Sequence, residues 1–153
     1  MLVSDVMTRD VVSAAPETPL DEAADTLVRR RLRAIPVTDG EGHVVGMLTD
    51  RQVMTHFLPG LEDPAAGRPD RPDVIREGTV RDVMERTVMC VNESEPLGDV
   101  VRLMLDKEIE RLPVVSDSRL VGFLTRGDII RRLLGDSRED SRRNEIIQET
   151  IDD

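Results

Sequence analysis

The fold is decided by the stretch from Arg119 to Leu134, which has the sequence RLVGFLTRGDIIRRLL. Its first part, up to Leu124, is apolar and strand-like, and its last part is an apolar helical run. Thr125 and Asp128 therefore lie three residues apart where a predicted strand turns into a predicted helix. A hydroxyl and a carboxylate at such a junction predict a binding edge.

Two interpretations of Thr125 and Asp128 compete. In the first, Thr125 is the N-cap of the helix and Asp128 reaches back to the cap, a pattern common before apolar helices. In the second, the Asp128 carboxylate also accepts both protons of a vicinal diol such as the ribose 2′- and 3′-hydroxyls, at a helix start that favours negative charge. The motif is short and unspecific, so by itself it favours the cap.

A second copy of this pattern strengthens the ligand interpretation. When the sequence is shifted by 77 residues, the segments that match are Val3 with Val80, Asp5-Val6-Met7 with Asp82-Val83-Met84, Pro19-Leu20 with Pro96-Leu97, and Pro36-Val37 with Pro113-Val114. After a one-residue gap, Gly46 matches Gly122 and Thr49 matches Thr125. Each copy has about 55 residues, too few to bury a large core alone, so the two copies are expected to pack as one unit.

Length, composition and charge restrict the class of protein. With 153 residues, 39% hydrophobic and 34% charged, the chain is expected to form one compact domain or two tightly paired halves. It has no apolar run of about 18 residues and no signal-peptide pattern, so we expect a cytoplasmic location. A net charge of −10 argues against nucleic acid as the main partner.

Neither catalysis nor a metal centre is predicted. His43 and His56 are the only histidines, and neither belongs to a metalloprotease motif. The single Cys90 cannot form an internal disulfide and is expected to be a small buried hydrophobe. The spacing of the cysteine and the histidines fits no metal site. We therefore expect no catalytic residue, no metal and no catalytic cofactor.

Arginines form local clusters in this acidic chain. The first cluster is Arg29-Arg30-Arg31 with Arg33, and the second is Arg131-Arg132. A cation-rich last helical turn interacts favourably with the helix dipole, whereas the same side chains beside a cleft would bind an anion. Both interpretations stay open at this point.

Each copy is predicted to run helix, strand, helix, strand, strand, helix. In the first copy these are a short helix over residues 3–7, a strand over 11–13, a helix after Thr18, strands over 34–37 and 43–48, and a helix after Thr49. The helix after Thr18 is predicted to have Thr18 as its N-cap, Pro19 at N1 and Asp21 at N3. The helix after Thr18 and its counterpart are expected to bury apolar residues at i, i+3, i+4 and i+7: Leu20, Ala23, Ala24, Leu27 and Leu97, Val100, Val101, Met104.

These patterns also predict the boundaries of the two copies. We expect a first repeat over residues 1–58, a linker over 59–78, a second repeat over 79–134 and a charged C-terminal helix or tail over 135–153. In the tail, Ile147 and Ile151 follow a candidate cap at Asn144. A frayed terminal helix is one interpretation, and a helix that docks on a partner subunit is the other.

The duplicated motifs resemble those of the CBS domain family, arranged as a tandem pair called a Bateman module. They are Asp-Val-Met near the start, an apolar-x-x-apolar-Pro-Val strand, and Gly-apolar-apolar-Thr-x-x-Asp at the close, and they recur in order over nearly all of residues 3–134. The resemblance implies an α/β (α+β) fold of two pseudo-symmetric repeats. Each repeat would have a small mixed three-stranded sheet with two to three helices.

The resemblance also implies a regulatory module that binds an adenosine compound between its repeats, such as AMP, ADP, ATP or S-adenosylmethionine. Such pairs often form homodimers, and an effector protein would respond to the ligand. In one cleft the ribose would be held by Thr125 and Asp128 and the base enclosed by residues of the other repeat: Val12, Leu32, Arg33, Ala34 and Pro36. The second, weaker cleft would use Thr49, Gln52, Met89, Ile109, Glu110, Arg111 and Pro113.

The two implied clefts differ in chemistry. Gln52 stands where the first cleft has Asp128, and an amide offers one acceptor oxygen where a diol needs two. Glu110 stands where the first cleft has Arg33, and it would repel phosphate. We therefore expect a single adenosine nucleotide at the Asp128 cleft, with Arg33 and the Arg131-Arg132 pair near the phosphates.

Two further expectations concern the surroundings of the clefts. Asp50 is close to Gln52 in sequence, but helical spacing turns it about 200° away. Phe57 and Phe123 are expected in the core, so the base would be held by aliphatic side chains and backbone rather than by ring stacking. The alternative function is a ligand-free module that serves only for dimerisation or protein interaction.

Overall fold

The computed structural model of the chain describes residues 1–57 and 78–135. The elements of the first stretch are a 3-10 helix (Val3–Asp5), α1 (Leu20–Arg29), β1 (Ala34–Thr38), β2 (Val44–Thr49) and α2 (Asp50–Phe57). Those of the second stretch are α3 (Val80–Val83), β3 (Val91–Asn92), α4 (Leu97–Asp106), β4 (Arg111–Ser116), β5 (Arg119–Thr125) and α5, described over residues 126–135. Apart from β3, which has no counterpart in the first stretch, the two stretches repeat one order of elements, as the duplicated sequence predicts.

Each copy is built on an antiparallel hairpin. β1 pairs with β2, with Ala34 opposite Thr49, and β4 pairs with β5, with Arg111 opposite Thr125. β3 adds a short parallel strand beside β4. The two threonines of the repeated motif therefore end their strands at equivalent places.

The predicted strand over residues 11–13 is wrong. Its place is taken by a single bridge between Ala14 and Val37. In the second copy the ladder continues because Glu93 donates its N–H to the neighbouring strand (3.1 Å). The equivalent residue of the first copy is Pro16, which has no N–H to donate. The first repeat therefore has two strands and one bridge instead of three strands.

The start of α1 differs from the prediction. The helix begins at Leu20 with Pro19 in the cap position, so Thr18 is not its N-cap and Asp21 is its second residue. The hydroxyl of Thr18 instead accepts the N–H of Ala15 (3.0 Å) and closes the turn before the helix. The predicted inward faces are confirmed by the buried residues of α1 and α4, which are Leu20, Ala23 and Leu27 with Leu97, Val100 and Met104.

The hydrophobic core of each copy is completed by the leading segment of the other copy. Val3 and Met7 are buried against α4, β4 and β5, whereas Val80 is buried against α1, β1 and β2. Backbone hydrogen bonds also join the leading segment of each copy to the other copy. The N–H of Val3 donates to the carbonyl of Glu95 (3.0 Å), and the N–H of Val80 donates to the carbonyl of Thr18 (2.9 Å). Neither core is complete without the other copy, so the two copies form one packed unit.

Two glycines allow the copies to approach each other closely. A β-carbon on Gly122 would lie 2.5 Å from the sulfur of Met7 and 3.1 Å from the carbonyl oxygen of Thr8. A β-carbon on Gly46 would lie 2.6 Å from the sulfur of Met84. Because neither position has room for a side chain, glycine is needed there for the hairpin of each copy to lie this close to the leading segment of the other.

Parts of the predicted organisation fall outside the described residues. They are the linker up to residue 77 and the tail beyond residue 135, including Asn144, Ile147 and Ile151, so the domain boundaries stay predictions. None of the described helices has the length and apolar character needed to cross a membrane. Cys90 is half-buried, and burial raises the pKa of its thiol, as expected of a packing residue.

Candidate functional site

The junction between β5 and α5 is closed by a reciprocal cap. The N–H of Thr125 donates to Oδ2 of Asp128 (3.0 Å), and the N–H of Asp128 donates to the hydroxyl of Thr125 (3.0 Å). The first copy repeats this arrangement between β2 and α2, where Thr49 donates to Oε1 of Gln52 (3.0 Å) and Gln52 donates to the Thr49 hydroxyl (3.2 Å). The cap interpretation of the motif is therefore confirmed in both copies.

The cap leaves the other oxygen of Asp128 for a second role. Oδ1 accepts hydrogen bonds from Nη2 of Arg131 (2.7 Å) and from the hydroxyl of Thr8 (3.3 Å). The side chain of Asp128 is 11% exposed, so it faces a cavity rather than open solvent. One carboxylate thus caps its helix with one oxygen and presents the other to the space between the copies.

This space is a cavity of about 640 Å³, which we call the first cleft. It is lined by all seven residues that the family resemblance implies for the Asp128 site: Val12, Leu32, Arg33, Ala34, Pro36, Thr125 and Asp128. The structure therefore brings together two segments of the first copy and one junction of the second.

The wall from the first copy is held by its backbone. The carbonyl of Arg33 accepts the N–H of Asp50 (2.8 Å), which fixes the start of β1 against the start of α2. Ala34 and Pro36 are buried and Leu32 is half-buried, so they form an apolar surface. The guanidinium of Arg33 is exposed and makes no hydrogen bond or ion pair with the described residues. The wall therefore combines an apolar surface with a cation that is free to bind an anion.

Thr8 and Phe123 are among the residues of the first cleft that were not predicted from the sequence. Thr8 and Phe123 both line the cavity, and their backbones pair with each other through bonds of 2.8 and 2.9 Å. The expectation that Phe123 is a core residue is wrong, because it lies between Gly122 and Leu124, which are buried on the opposite face of β5. The alternation of a strand could have placed Phe123 on the cleft side.

A second cavity, of about 900 Å³, lies at the equivalent junction of the first copy, and we call it the second cleft. Thr49, Gln52, Glu110 and Arg111 line it, as expected. Asp50 also lines it, close to Gln52 in sequence, although helical spacing predicts that the two residues point about 200° apart.

Three residues assigned to the second cleft do not line this cavity: Met89, Ile109 and Pro113. Pro113 is fully buried in β4, and Ile109 packs against the core of the second copy. Met89 is 41% exposed but lies away from the cavity, which opens instead beside α3. The pseudo-symmetry of the chain therefore does not extend to the shape of the two clefts.

The two clefts also differ in charge. The first is lined by five arginines and three acids, which are Arg31, Arg33, Arg111, Arg126 and Arg131 with Asp10, Glu110 and Asp128. The second is lined by two arginines and five acids, which are Arg51 and Arg111 with Asp50, Asp82, Glu85, Glu108 and Glu110. The difference arises because the copies have opposite charges before their central strand, with Arg31 and Arg33 in one and Glu108 and Glu110 in the other.

Not every arginine of the first cleft is available to a ligand. Arg126 donates to the carbonyls of Ile109 (3.1 Å) and Met104 (3.4 Å) and so holds the end of α4. Arg111 is paired with Glu110 (3.1 Å). Arg131 is paired with Asp128 (2.7 Å). Arg31 and Arg33, which belong to the first arginine cluster of the sequence, remain without a side-chain partner among the described residues, and their position in the cleft supports the anion-binding interpretation of that cluster. Among the described residues, no group of three or more potential metal ligands occurs.

Comparison with known proteins agrees with this architecture. The family model of the CBS domain matches the chain twice, over residues 3–59 and 80–135. Inosine-5′-monophosphate dehydrogenase of Methanocaldococcus jannaschii is 30% identical over 129 residues, which are 84% of this chain and 23% of that enzyme. The chain spans 43% of the length of an uncharacterized protein of the same organism, to which it is 31% identical over 134 residues.

Two similar solved structures contain adenosine compounds. CBSX2 of Arabidopsis thaliana in complex with AMP superimposes with a TM-score of 0.71 at 30% identity, covering 89% of this chain and 98% of that one. The CBS domain pair of protein MJ0100, in complex with 5′-methylthioadenosine and S-adenosyl-L-methionine, gives a TM-score of 0.69 at 27% identity, with coverages of 89% and 98%. The chain therefore belongs to the CBS domain family, as a tandem pair of CBS domains.

Proposed function

We propose that this CBS pair is a sensor module that binds one adenosine nucleotide in the first cleft. The observation that carries the proposal is the position of Asp128, a nearly buried carboxylate whose Oδ1 faces a cavity with apolar and cationic walls. A carboxylate at the start of a helix suits a ribose diol. The adenosine compounds bound by CBSX2 and MJ0100 support the same ligand class.

Each part of a nucleotide has a matching part of the first cleft. The ribose would bind Thr125 and Asp128. The base would lie against an apolar surface contributed by both copies, formed by Val12, Leu32, Ala34, Pro36 and Phe123. The phosphates would lie near the arginines at the opening, which are Arg31, Arg33 and Arg131. These cations favour AMP, ADP or ATP over an adenosine compound without phosphate, because Arg binds phosphate through charge-assisted hydrogen bonds.

The second cleft would not bind a phosphorylated ligand. Its acids repel a phosphate, and the only acceptor oxygen of the Gln52 amide already accepts the N–H of Thr49 in the cap of α2. A ribose diol would therefore find no pair of acceptors at position 52. The proposal thus predicts one nucleotide for each chain.

The proposed output is regulatory, with no catalytic step assigned to any residue. We propose that two chains form a homodimer through the apolar faces of α2 and α5, where Met54 is 55%, Ile130 is 55% and Leu134 is 50% exposed. The ligand would act on a separate effector protein, and a cytoplasmic location stays a prediction. Binding at a boundary between two copies suits a sensor, because a ligand there contacts both copies.

The test is a thermal-shift panel of AMP, ADP, ATP and S-adenosylmethionine on the full chain. A ligand at 100 times its dissociation constant adds about 2.7 kcal/mol to the free energy of unfolding. We expect a rise in the melting temperature with the phosphorylated compounds. If none of the four raises it, the ligand-free interaction module becomes the better function.

A further inference from the structure

We infer that Arg131 makes the first cleft selective for phosphorylated over unphosphorylated adenosine compounds, by exchanging its bond to Asp128 for a bond to phosphate. The inference rests on the proposed function and adds the residue that would set its specificity. It starts from the ion pair of 2.7 Å between Nη2 of Arg131 and Oδ1 of Asp128.

The acceptor sites of Asp128 are mostly occupied without a ligand. A carboxylate has roughly four lone-pair sites, two on each oxygen. On Oδ2 one site takes the N–H of Thr125, and on Oδ1 the two sites take Arg131 and the hydroxyl of Thr8. One site therefore remains, whereas a ribose diol donates two protons. A ribose that uses both its hydroxyls must displace a donor from Oδ1.

Arg131 is one of these two donors, and breaking its ion pair with Asp128 costs little free energy. Its side chain is 73% exposed, and ion pairs near solvent contribute little to stability because water screens the charges. The guanidinium lies against the start of α5, where Nη1 is 3.2 Å from the position of a β-carbon on Gly127. Because Arg131 lines the first cleft, a displaced guanidinium stays beside the ligand.

The consequence for the ligand depends on whether it has a phosphate. A nucleotide offers the displaced guanidinium a new anion, which Arg can bind bidentately. A nucleoside also breaks the ion pair between Arg131 and Asp128, but it has no phosphate that the displaced guanidinium could bind. The second cleft has no arginine that could exchange a carboxylate for a phosphate in this way. The residue equivalent to Arg131 is Thr55, whose hydroxyl donates to the carbonyl of Arg51 (2.8 Å).

The experiment is calorimetric titration of the full chain with AMP and with adenosine, for the wild type and for Arg131→Gln. The variant should bind AMP about tenfold more weakly, as for the loss of one charge-assisted hydrogen bond. It should bind adenosine equally well or up to about fivefold more tightly, because the competing ion pair is gone. The ratio of the two affinities should therefore fall by about tenfold or more.

The ratio of the affinities for AMP and adenosine separates a change in specificity from damage to the fold, because damage to the fold would weaken the binding of both ligands equally. Arg102→Gln is the matched control, because Arg102 is exposed on α4 and makes no hydrogen bond or ion pair with the described residues. This control should leave the ratio unchanged. An Arg131→Gln variant whose AMP to adenosine ratio equals that of the wild type overturns the inference while the proposed function stands. A wild type that binds neither compound overturns both.

Discussion

The hydroxyl of Thr8 donates a 3.3 Å hydrogen bond to Oδ1 of Asp128, across 120 positions of the sequence. The bond joins the leading segment of one copy to the helix start of the other. It exists because Gly122 allows the segment of Thr8 to lie against β5, where its backbone pairs with Phe123. The geometry of the first cleft therefore depends on the exchange of segments between the copies.

The first prediction concerns this close approach. Gly122→Ala should lower the free energy of unfolding by about 1–3 kcal/mol, the usual cost of overpacking a core. The added carbon would overlap the side chain of Met7, which is buried in the core of the second copy. Urea unfolding followed by circular dichroism measures the change.

Gly98→Ala is the control for that substitution. A β-carbon on Gly98 has no neighbour within 4 Å, and the residue lies in the first turn of α4. Alanine should leave stability unchanged or raise it by up to about 1 kcal/mol, because it restricts the unfolded chain. Equal losses in the two variants would mean that close packing is not the reason for glycine at position 122.

The second prediction concerns the base. Phe123→Leu should weaken AMP binding by about three- to tenfold, because aromatic contacts contribute about 0.5–1.5 kcal/mol beyond the area that they bury. Phe57→Leu should not change the affinity, since Phe57 packs against the core of the first copy. Calorimetric titration of both variants with AMP measures the difference. Unchanged binding by Phe123→Leu would remove the ring from the proposed base site.

The third prediction concerns charge. Arg33→Glu gives the first cleft the residue that the second copy has at position 110, and it should weaken AMP binding by tenfold or more, on the order of a charged hydrogen bond. The affinity of the wild type should also fall when salt is raised, because exposed charges are screened. A titration of Arg33→Glu that matches the wild type would place the phosphates away from Arg33.

The fourth prediction concerns assembly. Sedimentation of the full chain should give twice the mass of one chain of 17.1 kDa. The double variant Met54→Glu with Ile130→Glu should sediment as a monomer, because it places two carboxylates on the exposed apolar faces of α2 and α5. Leu105→Glu, at a side chain that is 63% exposed on α4, is the control and should leave the dimer intact. A wild type that sediments as a monomer would contradict the proposed assembly.

Most of the fold could be predicted from the sequence because the same local patterns occur in both copies. The Thr-x-x-Asp motif, the hairpins and the inward faces of α1 and α4 follow from local spacing, which does not depend on distant residues. The missing strand at residues 11–13 was also within reach, since Pro16 cannot extend a ladder. The local pattern Val11-Val12-Ser13 favours a strand, and only a comparison with Glu93 of the second copy shows that Pro16 lacks the donor.

The cleft was predicted less completely because its walls come from both copies. Thr8 reaches Asp128 only through a contact between segments that are far apart in sequence, and no local pattern marks it. Phe123 was assigned to the core from its residue type, although the alternation along β5 puts its side chain on the cleft side. The residues implied for the second cleft follow the same motif positions as those of the first, but Met89, Ile109 and Pro113 do not line it. The pseudo-symmetry of the sequence therefore does not predict the lining of the second cleft.

The central claim, that Asp128 holds the ribose of a nucleotide, is tested most directly by titrating AMP into Asp128→Ala and Gln52→Ala. Both substitutions remove the capping side chain of an equivalent helix, so any general loss of stability should be similar in the two. We predict that Asp128→Ala weakens AMP binding by about ten- to a hundredfold, the loss expected for hydrogen bonds to a charged group, and that Gln52→Ala leaves it unchanged. Equal affinities in the two variants would contradict the account.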